Sequence, residues 1–360
     1  SVLELAYTTI DDPSAHFQVA TYTGDGNDDR QVTNDGNSDL KPDLVWLKDR
    51  TQAQSHALFD SSRGATERIQ SNNGNAESTE VATLKSFTTD GFTLGTSATI
   101  NNGSNPDEYV AWQWKANGGT TSSNTDGNTT TTVQANTTAG FSIVLGSFTG
   151  STKTYGHGLG VAPDVVFWKN RSNTNSWLWF TTVIDGTHDY GILNQGNAFS
   201  ATSYDLPTST VFYGNDDAST DFVAYCFKSI KGYSKFGTYK GRGLNDVSGG
   251  RVRGKYVHTG FKPAFVMTKR TSGSANWQMY HHKVPTYGNV IDLKLGANLD
   301  VAENGSDLGT TSQNNMDFYA NGFRCTTGNT DTNSNGETYF YMAFAEHPFV
   351  TSTGIPTTAR

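Results

Sequence analysis

The sequence lacks the common motifs that enzymes use to bring reactive groups together. It contains no GxSxG nucleophile elbow, no HExxH zinc site, no Walker-A loop and no CxxC pair. Paired carboxylates for glycoside hydrolysis stay open, because such residues meet in space rather than in sequence. Glutamate is scarce, however, and several aspartates precede glycine in turn-like contexts, as at Asp25, Asp90 and Asp126. We therefore predict a protein that is not an enzyme.

One short string resembles a metal site. DTNSNG, at residues 331–336, fits the opening of a calcium-binding loop, with oxygen ligands from Asp331, Asn333 and Asn335. The twelfth position of that loop is Met342 instead of the bidentate glutamate that the full motif needs. A hairpin turn is the alternative, so we predict no cofactor and keep Ca²⁺ as the one open possibility.

Aromatic side chains are the remaining candidates for binding. Sugars stack on tryptophan and tyrosine faces, and Trp168, Trp177 and Trp277 could supply such platforms if they were exposed. Each lies in an apolar run that predicts a strand, so packing in the core is the alternative. The sequence does not determine which face of these strands points outward.

Similar apolar runs recur three times and predict the elements of the fold. The variants are PDLVWLKDR at 42–50, PDVVFWKNR at 163–171 and PAFVMTKR at 263–270. Each begins with proline, continues with aromatic or β-branched residues, and has a lysine near its end. These features predict strands with a pleated, half-buried surface, with the proline at the strand start.

Further blocks accompany each variant in the same order. In each unit one block precedes the proline, a short block follows it, and a third block closes the unit. These blocks lie at 17–26, 90–95 and 109–116 in the first unit and at 141–150, 210–214 and 222–229 in the second. In the third unit they lie at 234–243, 321–326 and 339–346. Each unit has about 100 residues, the size of one β-sandwich. We therefore predict an all-β fold of tandem β-sandwich modules, jelly-roll or lectin-like, in three related repeats.

The spacing of the blocks also predicts the domain boundaries. A lead-in at 1–16 precedes the first repeat at 17–116. A Gly/Ser/Thr/Asn-rich linker at 117–138 separates it from the second repeat, at 139–233, and the third spans 234–350 before a polar tail at 351–360. Within the first repeat we expect a short helix near residues 65–70.

Composition excludes several classes of function. The net charge of −8 argues against nucleic-acid binding, and no apolar run of 18 residues is present to span a membrane. Residues 228–255 are locally basic, which suggests either a solvated connection or a contact with an acidic neighbour or an anionic glycan. Cys226 and Cys325 are expected to be reduced core residues.

The ordered blocks resemble a known family. PDLVWLKDR, FDSSRGAT, SFTTDGFTLG and YVAWQWKANGG, followed by GHGLGVAPDVVFWKNR, FVAYCFKSIKGYSKFGTY, TGFKPAFVMTKR and YMAFAEHPF, look like repeat-containing virion proteins of tailed phages. Such proteins occur in marine and environmental phages and are tail-fibre-like. The resemblance covers residues 17–349 but carries over no catalytic residues.

The resemblance implies a structural or adhesion protein on the surface of a phage virion, on a tail fibre or on the capsid. It implies modules strung outward, other virion proteins as partners, a homo-oligomer such as a trimer, and a host-surface glycan or receptor. The loops after Arg50, Arg171 and Thr271 are the expected recognition elements. The alternatives are a glycan-degrading tailspike and a secreted cellular lectin.

Overall fold

The regular structure of this chain is almost entirely antiparallel β-sheet. The computed structural model describes residues 7–104, 107–243, 247–248, 251–252, 254–284, 290–308 and 316–357. Its helical segments are the 3₁₀ turns Pro13–Ala15 and Ser306–Leu308 and a single α-helical turn, α1 (Ala98–Asn101). The all-β prediction is confirmed.

The strands follow the order of the predicted blocks. The residues up to 116 form β1 (Phe17–Thr23), β2 (Arg30–Val32), β3 (Leu44–Asp49), β4 (Ala57–Asp60), β5 (Gly64–Ile69), β6 (Ser78–Thr79), β7 (Leu84–Thr88), β8 (Gly91–Leu94) and β9 (Glu108–Trp114). The next part forms β10 (Ser122–Asn124), β11 (Thr131–Asn136), β12 (Phe141–Phe148), β13 (Lys153–Gly156), β14 (Val165–Asn170), β15 (Leu178–Thr181), β16 (Asp189–Ile192), β17 (Ser200–Ala201), β18 (Val211–Gly214) and β19 (Thr220–Phe227). The last part forms β20 (Ser234–Lys240), β21 (Val247–Ser248), β22 (Arg251–Val252), β23 (Tyr256–His258), β24 (Phe261–Arg270), β25 (Gln278–His281), β26 (Val290–Ile291), β27 (Leu295–Gly296), β28 (Met316–Tyr319), β29 (Gly322–Cys325) and β30 (Thr338–Pro348).

Three large sheets share one strand order. They contain the runs β1-β9-β3-β4, β12-β19-β14-β15 and β20-β30-β24-β25. The recurring strands β3, β14 and β24 therefore pair with β9, β19 and β30, which are the last strands of the three units. A smaller sheet accompanies each of them, namely β2-β8-β7, β13-β18 and β23-β29-β28-β26. We call residues 17–116, 139–233 and 234–350 modules 1, 2 and 3. Their boundaries, and a kinship to jelly-roll or lectin folds, stay predictions.

The recurring strand is buried on both faces. All six residues of β3 and all six of β14 are buried. In β3, Leu44 and Trp46 point to one hydrophobic cluster and Val45 and Leu47 to another, as the alternation of side chains along a strand requires. A half-buried surface was expected; instead neither face of these strands meets water, and the first four residues of each are apolar.

The two faces belong to two kinds of core. One face of each large sheet packs on the small sheet of its own module, which gives three local cores. The other faces pack together into one shared core, to which all three modules contribute. Phe17 stacks on Phe344 at 5.0 Å, and Trp179 lies 5.0 Å from Trp277, both between ring centroids. The expectation of modules strung outward is therefore wrong, because the modules close on one another.

Two local predictions were also wrong. Residues 65–70 fall mostly in strand β5, which pairs with β4, instead of forming a helix. The predicted linker contains β10 and β11, which extend the large sheet of module 2 by pairing onto β12. Threonine favours strands, and Val133 supplies an apolar anchor that is only 3% exposed. The buried, unpaired state of Cys226 and Cys325 agrees with the prediction.

Candidate functional site

The lysine near the end of each recurring strand orders the loop that follows it. Lys48, Lys169 and Lys269 are each at most 1% exposed. Each ammonium donates to the carbonyl of the next residue and to that of the fourth residue on, the latter at 3.3, 2.9 and 3.4 Å. The three loops that were predicted to mediate recognition are thus each ordered by hydrogen bonds from a buried lysine to loop carbonyls.

Burial affects the charge of these lysines. Loss of hydration disfavours an ammonium ion, and it lowers the pKa of Lys48, Lys169 and Lys269 to about 8 in each case. Each therefore carries its charge at neutral pH but lies close to losing it. Because none reaches solvent, the lysines serve as loop anchors and do not contact a ligand directly.

The same loops lie at the seams between modules. Equivalent backbone hydrogen bonds join each loop to a neighbouring module, from Glu303 N to Arg50 O at 2.7 Å, from Glu77 N to Arg171 O at 2.9 Å and from Phe199 N to Thr271 O at 2.9 Å. Salt bridges reinforce two of these contacts, Arg50–Glu303 at 2.8 Å and Arg171–Glu77 at 2.6 Å. At the third seam Phe199 replaces the acid and lies against Trp277. The loops therefore stabilise the assembly as well as forming part of its surface.

The candidate tryptophans are core residues. Trp168 is 1% exposed and Trp177 and Trp277 are 0% exposed, so none can offer a ring face to a sugar in this structure. Trp168 lies in the local core of module 2, where the small sheet covers it. Trp177 and Trp277 lie in the shared core and donate from Nε1 across seams, to Gln70 O at 2.7 Å and Ile192 O at 3.0 Å. The assignment as exposed platforms is corrected.

The calcium-like string forms a turn whose oxygens are already engaged. Asp331 Oδ2 accepts from Gln278 at 2.8 Å, and Asn333 Oδ1 accepts from the Arg242 amide at 2.9 Å, while Asn335 is exposed. In the described part of the chain, no group of three or more His, Cys, Asp or Glu side chains is arranged to hold a metal ion. The prediction of no cofactor, with Ca²⁺ as the open possibility, stays a prediction.

A cleft between modules 1 and 3 was not anticipated from the sequence. It has a volume of about 190 Å³ and is lined by polar groups from four separate stretches, among them Ser14, Gln18, Asp35, His282, Lys283 and Glu346. We call it the seam cleft. The sequence does contain one sign of this cleft. The closing blocks of the first two modules end in Ala116 and Ser229, whereas that of module 3 ends in the charged residue Glu346.

Glu346 is the most strongly perturbed group in the seam cleft. It lies 2.8 Å from Lys262, 3.3 Å from His282 and 3.7 Å from His347, measured from a carboxylate oxygen to the side-chain nitrogen. Burial by itself would raise the pKa of Glu346, but His282 and Lys262 outweigh it and hold the pKa at about 2. Glu346 is therefore an ionised hydrogen-bond acceptor near neutral pH, poorly suited to donate a proton.

The fold and these contacts define an all-β protein whose antiparallel sheets close around a shared core. The chain belongs to the family described as a domain of unknown function (DUF7483), whose model matches residues 12–348. No curated protein and no solved structure matches it. Within the described ranges, no helix has the length and apolar character needed to cross a membrane.

Proposed function

We propose that this protein is a structural and adhesion component of a phage virion, displayed on a tail fibre or on the capsid, and that it is not an enzyme. The observation that carries this proposal is the shared aromatic core, which locks three modules into one body with loops anchored at the seams. A body of this kind suits a particle surface, because a rigid scaffold presents variable loops without losing its shape. The resemblance to phage virion proteins supports the same conclusion.

The proposed partners are other virion proteins and a host-surface glycan or receptor. A homo-oligomer such as a trimer is also proposed. The shared core already buries one face of each large sheet within a single chain. Further copies would therefore meet through the outer surfaces, which leaves both assembly and host contact to loops and small sheets.

The geometry of the seam cleft favours binding over glycan cleavage. A glycosidase needs one carboxylic acid with a raised pKa to protonate the leaving oxygen. Glu346 has a lowered pKa, because it faces Lys262 and His282. A degrading tailspike remains the alternative proposal, and release of oligosaccharides from host polysaccharide by the purified chain would establish it.

Localisation on the particle tests the main proposal. Antibodies raised against the purified chain should label intact virions of the phage that encodes it, at a fixed place in electron micrographs. Virions from a deletion strain should lose both the label and a matching density. Unlabelled particles, or deletion particles with intact density and full infectivity, would overturn the proposal.

A further inference from the structure

We propose that the outer face of the small sheet of module 3 binds an acidic glycan, with Arg324, Lys255 and Tyr256 as its contact residues. The inference rests on the proposed adhesion function and deepens it, because it names the chemistry of the ligand and the face that takes it. It follows from the register of two strands, the surroundings of one arginine, and the contrast with the other modules.

The register places an aromatic and a cation side by side on the outer face. Tyr256 in β23 lies directly opposite Arg324 in β29, and their neighbours Val257 and Phe323 form the next pair. Val257 and Phe323 point inward, being 6% and 0% exposed. Because successive side chains alternate between faces, Tyr256 and Arg324 point outward.

The guanidinium of Arg324 is held by rings instead of by a carboxylate. Its central carbon lies 5.8 Å from the ring centroid of Tyr256 and 5.5 Å from that of Tyr319. Its Nε is buried and has no hydrogen-bond partner among the described residues. Asp317 is its neighbour across the strands, and the Asp317 carboxylate accepts from the Tyr319 hydroxyl at 3.0 Å. Flanking rings fix an arginine in place and leave the terminal N–H groups of its guanidinium available to an oxyanion.

Two surface depressions adjoin this pair, one beside Arg324 and one at the edge where β23 meets β20. Two depressions share Lys255 and Tyr256, one of about 450 Å³ and one of about 340 Å³. Arg242 and Arg324 line the first, while Lys235 and His258 line the second. A row of cations along these two depressions, with aromatic walls, fits a chain of charged sugars better than a single compact ligand.

Modules 1 and 2 lack this combination. By register, the positions of Tyr256 and Arg324 are held by Gln31 and Thr93 in module 1. In module 2 they are held by Thr154 and Tyr213.

The cations beside the small sheet of module 1 are also paired with carboxylates. Arg30 lies 3.5 Å from Asp25, and Lys85 lies 2.9 Å from Asp28. Among the described small sheets, only that of module 3 therefore places a tyrosine opposite an arginine on its outer face. The chain as a whole has a net charge of −8.

The chemistry of these depressions selects an acidic glycan. A planar guanidinium pairs with the two oxygens of a carboxylate or sulfate, and tyrosine rings supply an apolar face with a polar edge. Nucleic-acid binding depends on an extended basic surface, which a chain with a net charge of −8 does not offer. Carboxylated and sulfated sugars both present paired anionic oxygens to a guanidinium, so the experiment includes both.

Calorimetric titration of the full chain tests the proposal, with hexagalacturonate as the carboxylated probe, a heparin hexasaccharide as the sulfated probe and maltohexaose as the neutral probe. At least one acidic probe should bind, more weakly as salt rises, and maltohexaose should not. Arg324→Gln should weaken that binding at least tenfold. Lys153→Gln is the matched control, because Lys153 occupies the register position of Lys255 in module 2, and it should bind as the wild type does.

Several outcomes would overturn the inference. These are equal binding of maltohexaose, unchanged binding by Arg324→Gln, or inorganic sulfate binding as tightly as the hexasaccharides. The melting temperature of each variant shows that it is folded, and Arg324→Lys, which keeps the charge but loses the fork, should bind with intermediate affinity. Virion labelling is independent of these titrations. A labelled virion whose chain ignores acidic sugars would overturn this inference alone.

Discussion

At the scale of single residues, buried charge is concentrated where module 1 meets module 2. Arg63 and Asp60 form a salt bridge in which both side chains are 0% exposed, and Arg63 also pairs with Glu77 at 2.8 Å. Tyr225 of module 2 donates to Asp60 at 2.8 Å. The motif FDSSRG, which was noted only as part of a resemblance, thus forms the charged centre of a seam.

Replacing Arg63 by methionine should therefore destabilise the protein strongly. The change leaves Asp60 buried without its cation, while Glu77 keeps its pair with Arg171. Losing the partner of a buried charge costs about 3–5 kcal/mol of unfolding free energy. Lys85→Met is the control, because the Lys85 pair with Asp28 is solvent-exposed and should contribute much less to stability. Urea denaturation at pH 7 measures both. Equal losses would show that the buried network contributes no more than a surface pair.

The buried lysines make a prediction about pH. Burial lowers the pKa of Lys169 from 10.5 to about 8, so between these values the unfolded chain binds more protons than the folded one. Stability contributed by this group must then rise with pH across that window, by up to on the order of 3 kcal/mol. The free energy of unfolding of the wild type, relative to Lys169→Met, should increase from pH 8 to pH 10.5. A difference that stays flat would refute the lowered pKa.

At the scale of elements, the sequence predicted the strands whose signals lie within their own residues. The runs after Pro42 and Pro163 became β3 and β14, because their apolar, β-branched composition is local to each run. The third run became part of β24, which begins at Phe261, so Pro263 lies at an irregularity inside the strand and not at its start as expected. The helix expected near residues 65–70 failed because that segment pairs with β4 across a short turn, which its own residues do not reveal. The strands in the predicted linker were missed because β11 forms against β12 and β10 against β11.

The candidate sites were less predictable than the strands. The positions of the three loops could be read from the repeats, but their location at the seams depends on how modules pack. Trp177 and Trp277 looked available because a single strand does not reveal what covers it. The seam cleft combines Gln18, Asp35 and Glu346 from distant stretches, and no local pattern joins them.

The seam contact of Trp277 can be tested against a neighbour in the same core. Trp277 Nε1 donates to Ile192 O at 3.0 Å and to Gln195 O at 3.1 Å, whereas Trp179 Nε1 is buried without a partner among the described residues. Both side chains are 0% exposed, so replacing either by phenylalanine leaves a similar cavity. Trp277→Phe should lose about 1–3 kcal/mol more than Trp179→Phe, since it also removes the hydrogen bonds to two carbonyls across the seam. Chemical denaturation compares them, and a larger loss for Trp179→Phe would contradict the seam hydrogen bond.

At the scale of the molecule, the seams form a closed ring. Trp177 joins module 2 to module 1 and Trp277 joins module 3 to module 2. His56 occupies the matching place in module 1 and lies 2.9 Å, through Nε2, from Gly296 O of module 3. His56 Nδ1 accepts from Trp46, and burial lowers the pKa of His56 to about 3, so the neutral ring carries its proton on Nε2 and donates it. Three equivalent contacts thus run in one direction around the shared core, as in a trimer built from one chain.

A closed ring around one core should unfold as one unit. Module 2 alone would expose Phe167, Trp179 and Phe227, which are at most 1% exposed in the whole chain, and would lose the neighbours that cover them. We therefore expect a fragment of residues 139–233 to be unfolded or aggregated, and scanning calorimetry of the full chain to show a single transition whose calorimetric and van't Hoff enthalpies agree. Arg63→Met should lower the temperature of that one transition without splitting it. Three separate transitions, or a fragment with its own cooperative melting, would mean that the local cores suffice and that the shared core joins modules that are already stable.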